Sequence, residues 1–115
     1  MTFKEIEKIL EEKGVKYEIK PKEKYGLVEF WTDTAGQDIP VDFNFDGTPR
    51  DFIEQFADSA DRYDVDDEVE VYINMRGQNG VPATVRELLD DCQEAKDTLM
   101  DIAAALKGLI NPEAA

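Results

Sequence analysis

Asp42-Phe-Asn44-Phe-Asp46-Gly47 sets three oxygen-bearing side chains two residues apart ahead of a glycine, the first half of a calcium loop of the EF-hand type. Such a loop closes with a bidentate acid at its twelfth position, and counting from Asp42 puts Ile53 there, with Glu54 one residue late. A second account covers the same residues. Ile39, Val41, Phe43 and Phe45 alternate with Pro40, Asp42 and Asn44 as in a half-buried strand, and Asp46-Gly47 is the turn that ends it. If a cation is held, Asp42, Asn44 and Asp46 are its ligands. Asp61, Asp64, Asp66, Asp67 and Glu68 form a second acidic group, but general acid catalysis needs two carboxyls in contrasting environments, which a solvated turn does not supply.

Other chemistries have little to work with. The chain has no histidine and one cysteine, so imidazole shuttles, His-based triads, an intramolecular disulfide framework and multi-cysteine zinc sites are excluded. Cys92 lies on the apolar stripe of a helix beside Asp90, Asp91 and Glu94, which oppose thiolate formation and mark it as a small core residue. The segment 76–82 has two glycines ahead of a helix start. It lacks the phosphate-loop lysine and the dinucleotide spacing, and reads as a connection. These observations lead to the expectation of a non-enzymatic protein without a cofactor.

Charge is the strongest remaining signal. The 115 residues carry 27 acids and 13 bases, for a net charge of −14. Residues 1–25 are nearly balanced at +1, whereas residues 33–70 hold 13 acids against Arg50 and Arg62. A field of this sign repels nucleic acid and anionic lipid and attracts basic protein surfaces. It also serves solubility alone, and composition does not separate the two roles. The N-terminal residues are charged where a secretory signal is apolar, and the longest apolar run, at 102–106, is far too short to span a bilayer. A cytoplasmic location without membrane association is therefore expected.

The elements that must position these residues are clearly punctuated. Thr2-Phe-Lys-Glu5 is a capping box opening a helix over about 3–13, stopped at Gly14. Alternation over 15–20 and a β-prone run over 27–32 predict a hairpin, and strand 3 follows over 39–45, with Pro40 suited to an edge. Thr48-Pro49 opens a helix to about residue 61. Val69, Val71, Ile73 and Met75 alternate with polar partners and Tyr72 over 68–76, which predicts a fourth strand. Thr84-Val-Arg-Glu87 starts a long helix expected to run to about Lys107 and to end at Gly108. The order α-β-β-β-α-β-α predicts a single two-layer α+β domain, a four-stranded and mainly antiparallel sheet with three helices.

Two exposed features follow. In strand 2, Val28 and Phe30 take one face, so Trp31 is an exposed aromatic on the other. The last helix carries Val85, Leu88, Cys92, Ala95, Leu99, Ile102 and Leu106 at alternating spacings of 3 and 4, an a/d seam. Either the whole stripe packs within the domain, or its C-terminal part, Leu99, Ile102 and Leu106, joins two copies in a homodimer. A second acidic stripe, from Glu87 through Asp90, Asp91, Glu94 and Asp97 to Asp101, runs opposite the seam.

The stretches 45–56, 63–73 and 84–89, about half the chain, resemble small acidic proteins of bacterial mobile elements. The resemblance implies an accessory role near host-defence or DNA-handling proteins and transfers no functional residue. The expected function is a protein-interaction module. Its surface of Asp58, Asp61, Asp64, Asp66, Asp67, Glu68 and Glu70, with Trp31 or Tyr72 as an aromatic anchor, meets a basic protein surface. The alternative is a DNA mimic that occupies the groove of a DNA-binding protein, and a calcium-binding or carboxylate-based enzyme is a third.

Overall fold

In the computed structural model, which describes residues 1–74 and 84–111, the first half of the chain follows the punctuation of its sequence closely. Helix α1 (Phe3–Glu12) begins at the Thr2–Glu5 capping box, both halves of which are formed. Its apolar face turns Ile6 and Leu10 fully inward. Gly14 then reverses the chain at φ +71°, a left-handed conformation that a side chain resists. Strands β1 (Lys16–Lys20), β2 (Tyr25–Trp31) and β3 (Asp38–Asn44) form an antiparallel sheet in the order β1-β2-β3. Pro40 lies in an edge strand, where its missing N–H costs no ladder bond.

One face of the sheet is covered and the other is open, as the alternation requires. Tyr17, Ile19, Val28, Phe30, Ile39, Val41 and Phe43 pack with the core formed by α1, α2 (Pro49–Arg62) and α4 (Val85–Ile110). At Gly26 the cover comes very close. A Cβ there would lie 2.7 Å from the Phe52 ring and 2.8 Å from the Phe43 ring. Those two rings meet edge to face at 5.0 Å over the glycine. Gly26→Ala therefore must displace an aromatic pair, and the expected loss is about 1–2 kcal/mol of unfolding free energy in a denaturant titration.

The second half departs from the expected plan in three places. Residues 65–73 form a helix, α3 (Val65–Ile73), not a fourth strand, so the sheet has three strands and the helices number four among the described residues. The sequence there carries two periods at once. Val69, Val71 and Ile73 alternate, but Val65, Glu68, Val69 and Tyr72 recur at helical spacing, and these four are the half-buried ones. The start signal decides between them. Asp64 accepts from the N–H groups of Asp66 (2.9 Å) and Asp67 (3.1 Å), and Asp66, Asp67 and Glu68 put negative charge on the first turn, where the helix dipole favours it. Met75 and the whole segment 76–82 fall outside the described residues.

Helix α4 continues through Gly108 to Ile110 and is capped at Asn111, three residues past its expected end. One glycine inside a helix lowers stability modestly and need not stop it when the next side chains pack, and Leu109 and Ile110 both lie against the core. The third correction concerns the seam. Leu99, Ile102 and Leu106 are at most 1% exposed within a single chain, so they are not open to a second copy. The opposite end of the stripe outruns the sheet: Leu88 and Cys92 are buried apart from the main core, on the half of α4 that meets α3. Among the described residues, no helix is long and apolar enough to cross a membrane.

Candidate interaction surface

The acidic residues fall into three structural groups. The first lines the end of α2, the turn after it, and the outer face of α3. Asp58, Asp61, Asp64, Asp66, Asp67 and Glu70 are all exposed. Arg62 is the sole base from residue 58 to residue 70, and it is held by Asp58 one turn earlier at 2.9 Å. On α3, Asp66 and Glu70 lead along the helix to Ile73, and Asp67 leads to Val71. Val71 and Ile73 are 53% and 43% exposed, and Val85 and Leu89 at the start of α4 are 47% and 46% exposed. Negative charge at one end of α3 thus grades into exposed apolar surface at the other.

Glu68 and Tyr72 differ from the other expected contact residues. Both are half-buried on the inward stripe of α3, because the helix turns them toward α4 where a strand would have set them on its wet face. Burial, and secondarily the charge of Asp67, pushes the Glu68 carboxyl above its ordinary value. Burial likewise raises the Tyr72 phenol, with Glu68 adding to it. Cys92 lies in the same region. Burial raises its thiol pKa, a hydrogen bond with Tyr63 opposes that rise, and Asp91 and Glu68 reinforce it. A thiol so placed stays protonated and is a poor nucleophile.

The second group faces inward. Asp91 and Glu94, expected on an outer stripe of α4, hold the connection between β2 and β3. Glu94 accepts from the Asp33 N–H, from the Thr34 N–H at 2.9 Å, and from the Thr34 hydroxyl at 2.7 Å. Asp91, only 1% exposed, accepts from the Ala35 N–H at 3.1 Å. Burial works against the charge of Glu94, yet the bonds from Thr34 and Asp33 outweigh it and hold the carboxyl below its ordinary value. The latch joins residues about sixty positions apart in the chain. Further along α4, Asp101 is paired with Lys13 at 2.8 Å, and the Lys96 ammonium donates to the carbonyls of Ala60 (2.7 Å) and Asp61 (3.1 Å), closing the end of α2.

The third group is the half-motif for calcium. Asp42 and Asn44 stand on the open face of β3, opposite Leu27 and Tyr25. Asp46 turns to the start of α2, where its Oδ1 accepts from the Thr48 N–H (2.9 Å) and hydroxyl (2.6 Å), and its own N–H donates to Asp51. The Thr48 hydroxyl, then the Thr48 N–H, lowers the Asp46 carboxyl pKa. The strand and the helix entrance therefore use the three residues for different purposes. Among the described residues, no three His, Cys, Asp or Glu side chains are grouped to hold a metal ion.

Trp31 is 57% exposed, as its place in the alternation requires, and pairs with Asp38 on the open sheet face. It stands on the side of the sheet away from the helices, so the acids of α2 and α3 and the tryptophan do not form one cluster. The apolar centre that accompanies the acids is instead supplied by Val71 and Ile73. Sequence periodicity concealed it, because as strand residues these two pointed to the core. No family of proteins, curated protein or solved structure matches the chain.

Proposed function

We propose that the protein is a non-enzymatic interaction module whose α2–α3 surface receives a basic protein surface. The observation that carries this reading is the exposed face of α3 and its approach. Six exposed acids surround one arginine, itself engaged by Asp58, and they adjoin the exposed Val71 and Ile73. Charge of one sign accelerates encounter with a basic partner and orients it, while apolar side chains excluded from water at the centre provide the hold. The resemblance to acidic mobile-element proteins is compatible with a partner that handles DNA. Mimicry of DNA itself is less well supported, since Asp91 and Glu94 are turned to the 33–35 connection and the exposed Asp101 is paired with Lys13, which interrupts the acidic face along α4.

The test uses wild-type protein and Asp66→Asn/Asp67→Asn/Glu70→Gln as immobilised baits at low and high salt. The wild type is expected to retain a basic protein at low salt and release it at high salt, and the triple variant to retain little of it. Equal capture by both baits, or no salt-sensitive capture, overturns the proposal. Release of the captured protein by added duplex DNA is the outcome that favours mimicry.

A further inference from the structure

Helix α3 presents the proposed surface, yet it is the one described helix with no buried residue. Its hold on the molecule is the half-buried stripe Val65, Glu68, Val69 and Tyr72, laid on the half of α4 that carries Leu88 and Cys92. Such a stripe removes little apolar area from water, so small electrostatic terms weigh heavily in whether the helix is seated. An acid sits in the middle of it.

The groups around Glu68 are all acidic or neutral. Asp67 and Tyr72 come from α3 itself, Tyr63 from the turn after α2, and Cys92 from α4, with Asp91 beside Tyr72 and Cys92. Among the described residues, none of those groups is a cation. Lys96, one turn beyond Cys92, is committed to the carbonyls at the end of α2. A carboxylate in this position loses part of its hydration and, among the described residues, gains no cationic partner, whereas a protonated carboxyl faces no such penalty.

We propose that Glu68 makes the seating of α3 on α4 sensitive to pH, with the protonated side chain seating the helix and the ionised one loosening it. The consequence for binding rests on the interaction reading above, because the helix that loosens is the one that displays Asp66, Asp67 and Glu70. The direction of the carboxyl shift agrees with the geometry. A group whose value is raised in the seated state leaves stability unchanged below the ordinary glutamate value of 4.5. Stability is lost as pH rises through the raised value, and the penalty is constant above it.

The test is amide hydrogen exchange of α3, corrected for intrinsic rates and referenced to α1, in wild type and Glu68→Gln from about pH 4 to about pH 8. Wild-type protection of α3 should fall by about twofold or more with rising pH, while the glutamine variant stays flat and at least as protected. A flat wild type, or a glutamine variant that falls as steeply, overturns the proposal. Titration of the Glu68 carboxyl by NMR in the wild type gives an independent readout: a midpoint above that of free glutamate supports the switch, and one at or below it overturns it. No partner is present in either measurement, so their failure leaves the interaction reading standing, and loss of that reading leaves the pH response intact.

Discussion

Leu99→Ala is expected to lower the free energy of unfolding by about 3–5 kcal/mol, and to do so equally at low and tenfold higher protein concentration. Leu99 is 0% exposed and belongs to the cluster that joins α4 to α1, α2 and the inner sheet face. Truncation removes buried apolar atoms and leaves a cavity that the surrounding core side chains fill incompletely. For a domain of this size, whose total stability is of the order of 5–15 kcal/mol, the loss is a large fraction. The dependence on concentration separates the two roles of the a/d seam. A residue packed within one chain loses the same stability at any concentration, whereas one shared between copies shows a midpoint that moves with concentration. Denaturant titrations at two concentrations make the comparison, and a loss that shrinks on dilution, as wild-type copies separate, would place Leu99 between copies.

The physical reason that the seam is internal also explains how much of the fold the residues announced. Thr2, Thr48 and Thr84 cap three helices whose starts were evident from hydroxyl and acid spacing, and the alternation over 15–45 carried three strands, though not their order in the sheet. Local rules were sufficient there because each element's period had one solution. Residues 65–73 had two. Valine and isoleucine favour strands, and the Asp64 cap with its acidic first turn favours a helix by about as much. What settles such a contest is tertiary: the N-terminal half of α4 carries Leu88 and Cys92, buried outside the main core, and a helix that half-buries Val65, Val69 and Tyr72 packs against α4. That demand is invisible in either segment alone. With α3 seated at the N-terminal half of α4, the C-terminal half keeps the sheet, α1 and α2 as partners, which leaves no seam exposed.

The candidate surface was legible to a similar degree. Charge density located the acids from 58 to 70, because burial of an unpaired carboxylate is costly and most of them had to be outside. It did not reveal that Glu68 would be turned inward or that Val71 and Ile73 would be turned out, since both depend on the helical period of α3. Nor did it reveal Asp91 and Glu94 as internal acceptors. The connection 33–35 presents consecutive backbone N–H groups without sheet partners, and such donors require acceptors, but nothing local says that these come from a helix far along the chain.

That latch supports a second large effect. Asp91→Ala with Glu94→Ala is expected to lower stability by about 2–4 kcal/mol and to abolish amide protection at residues 33–35. The figure combines the cost of leaving the part-buried Ala35 N–H without its acceptor and the loss of charge-assisted bonds at Glu94. The Glu94 share is the smaller because its bonds to Thr34 are reached by water. Glu94→Gln separates charge from shape, since an amide oxygen still accepts while the charge and its titration are gone. The Glu94 carboxyl lies below its ordinary value of 4.5 in the folded chain. Its ionised form therefore contributes stability above the unfolded value, and that contribution is lost as pH falls through the lowered one. Urea titrations should show wild type more stable than Glu94→Gln at neutral pH, with the gap closing in acid, and a gap that does not change with pH would mean that the ionised carboxylate is not what holds the loop. Glu68 responds with the opposite sign. Acidification thus seats α3 at one side of α4 while it releases the 33–35 connection at the other, and comparing exchange at the two segments in one pH series separates both carboxylates from any global effect of the net charge of −14.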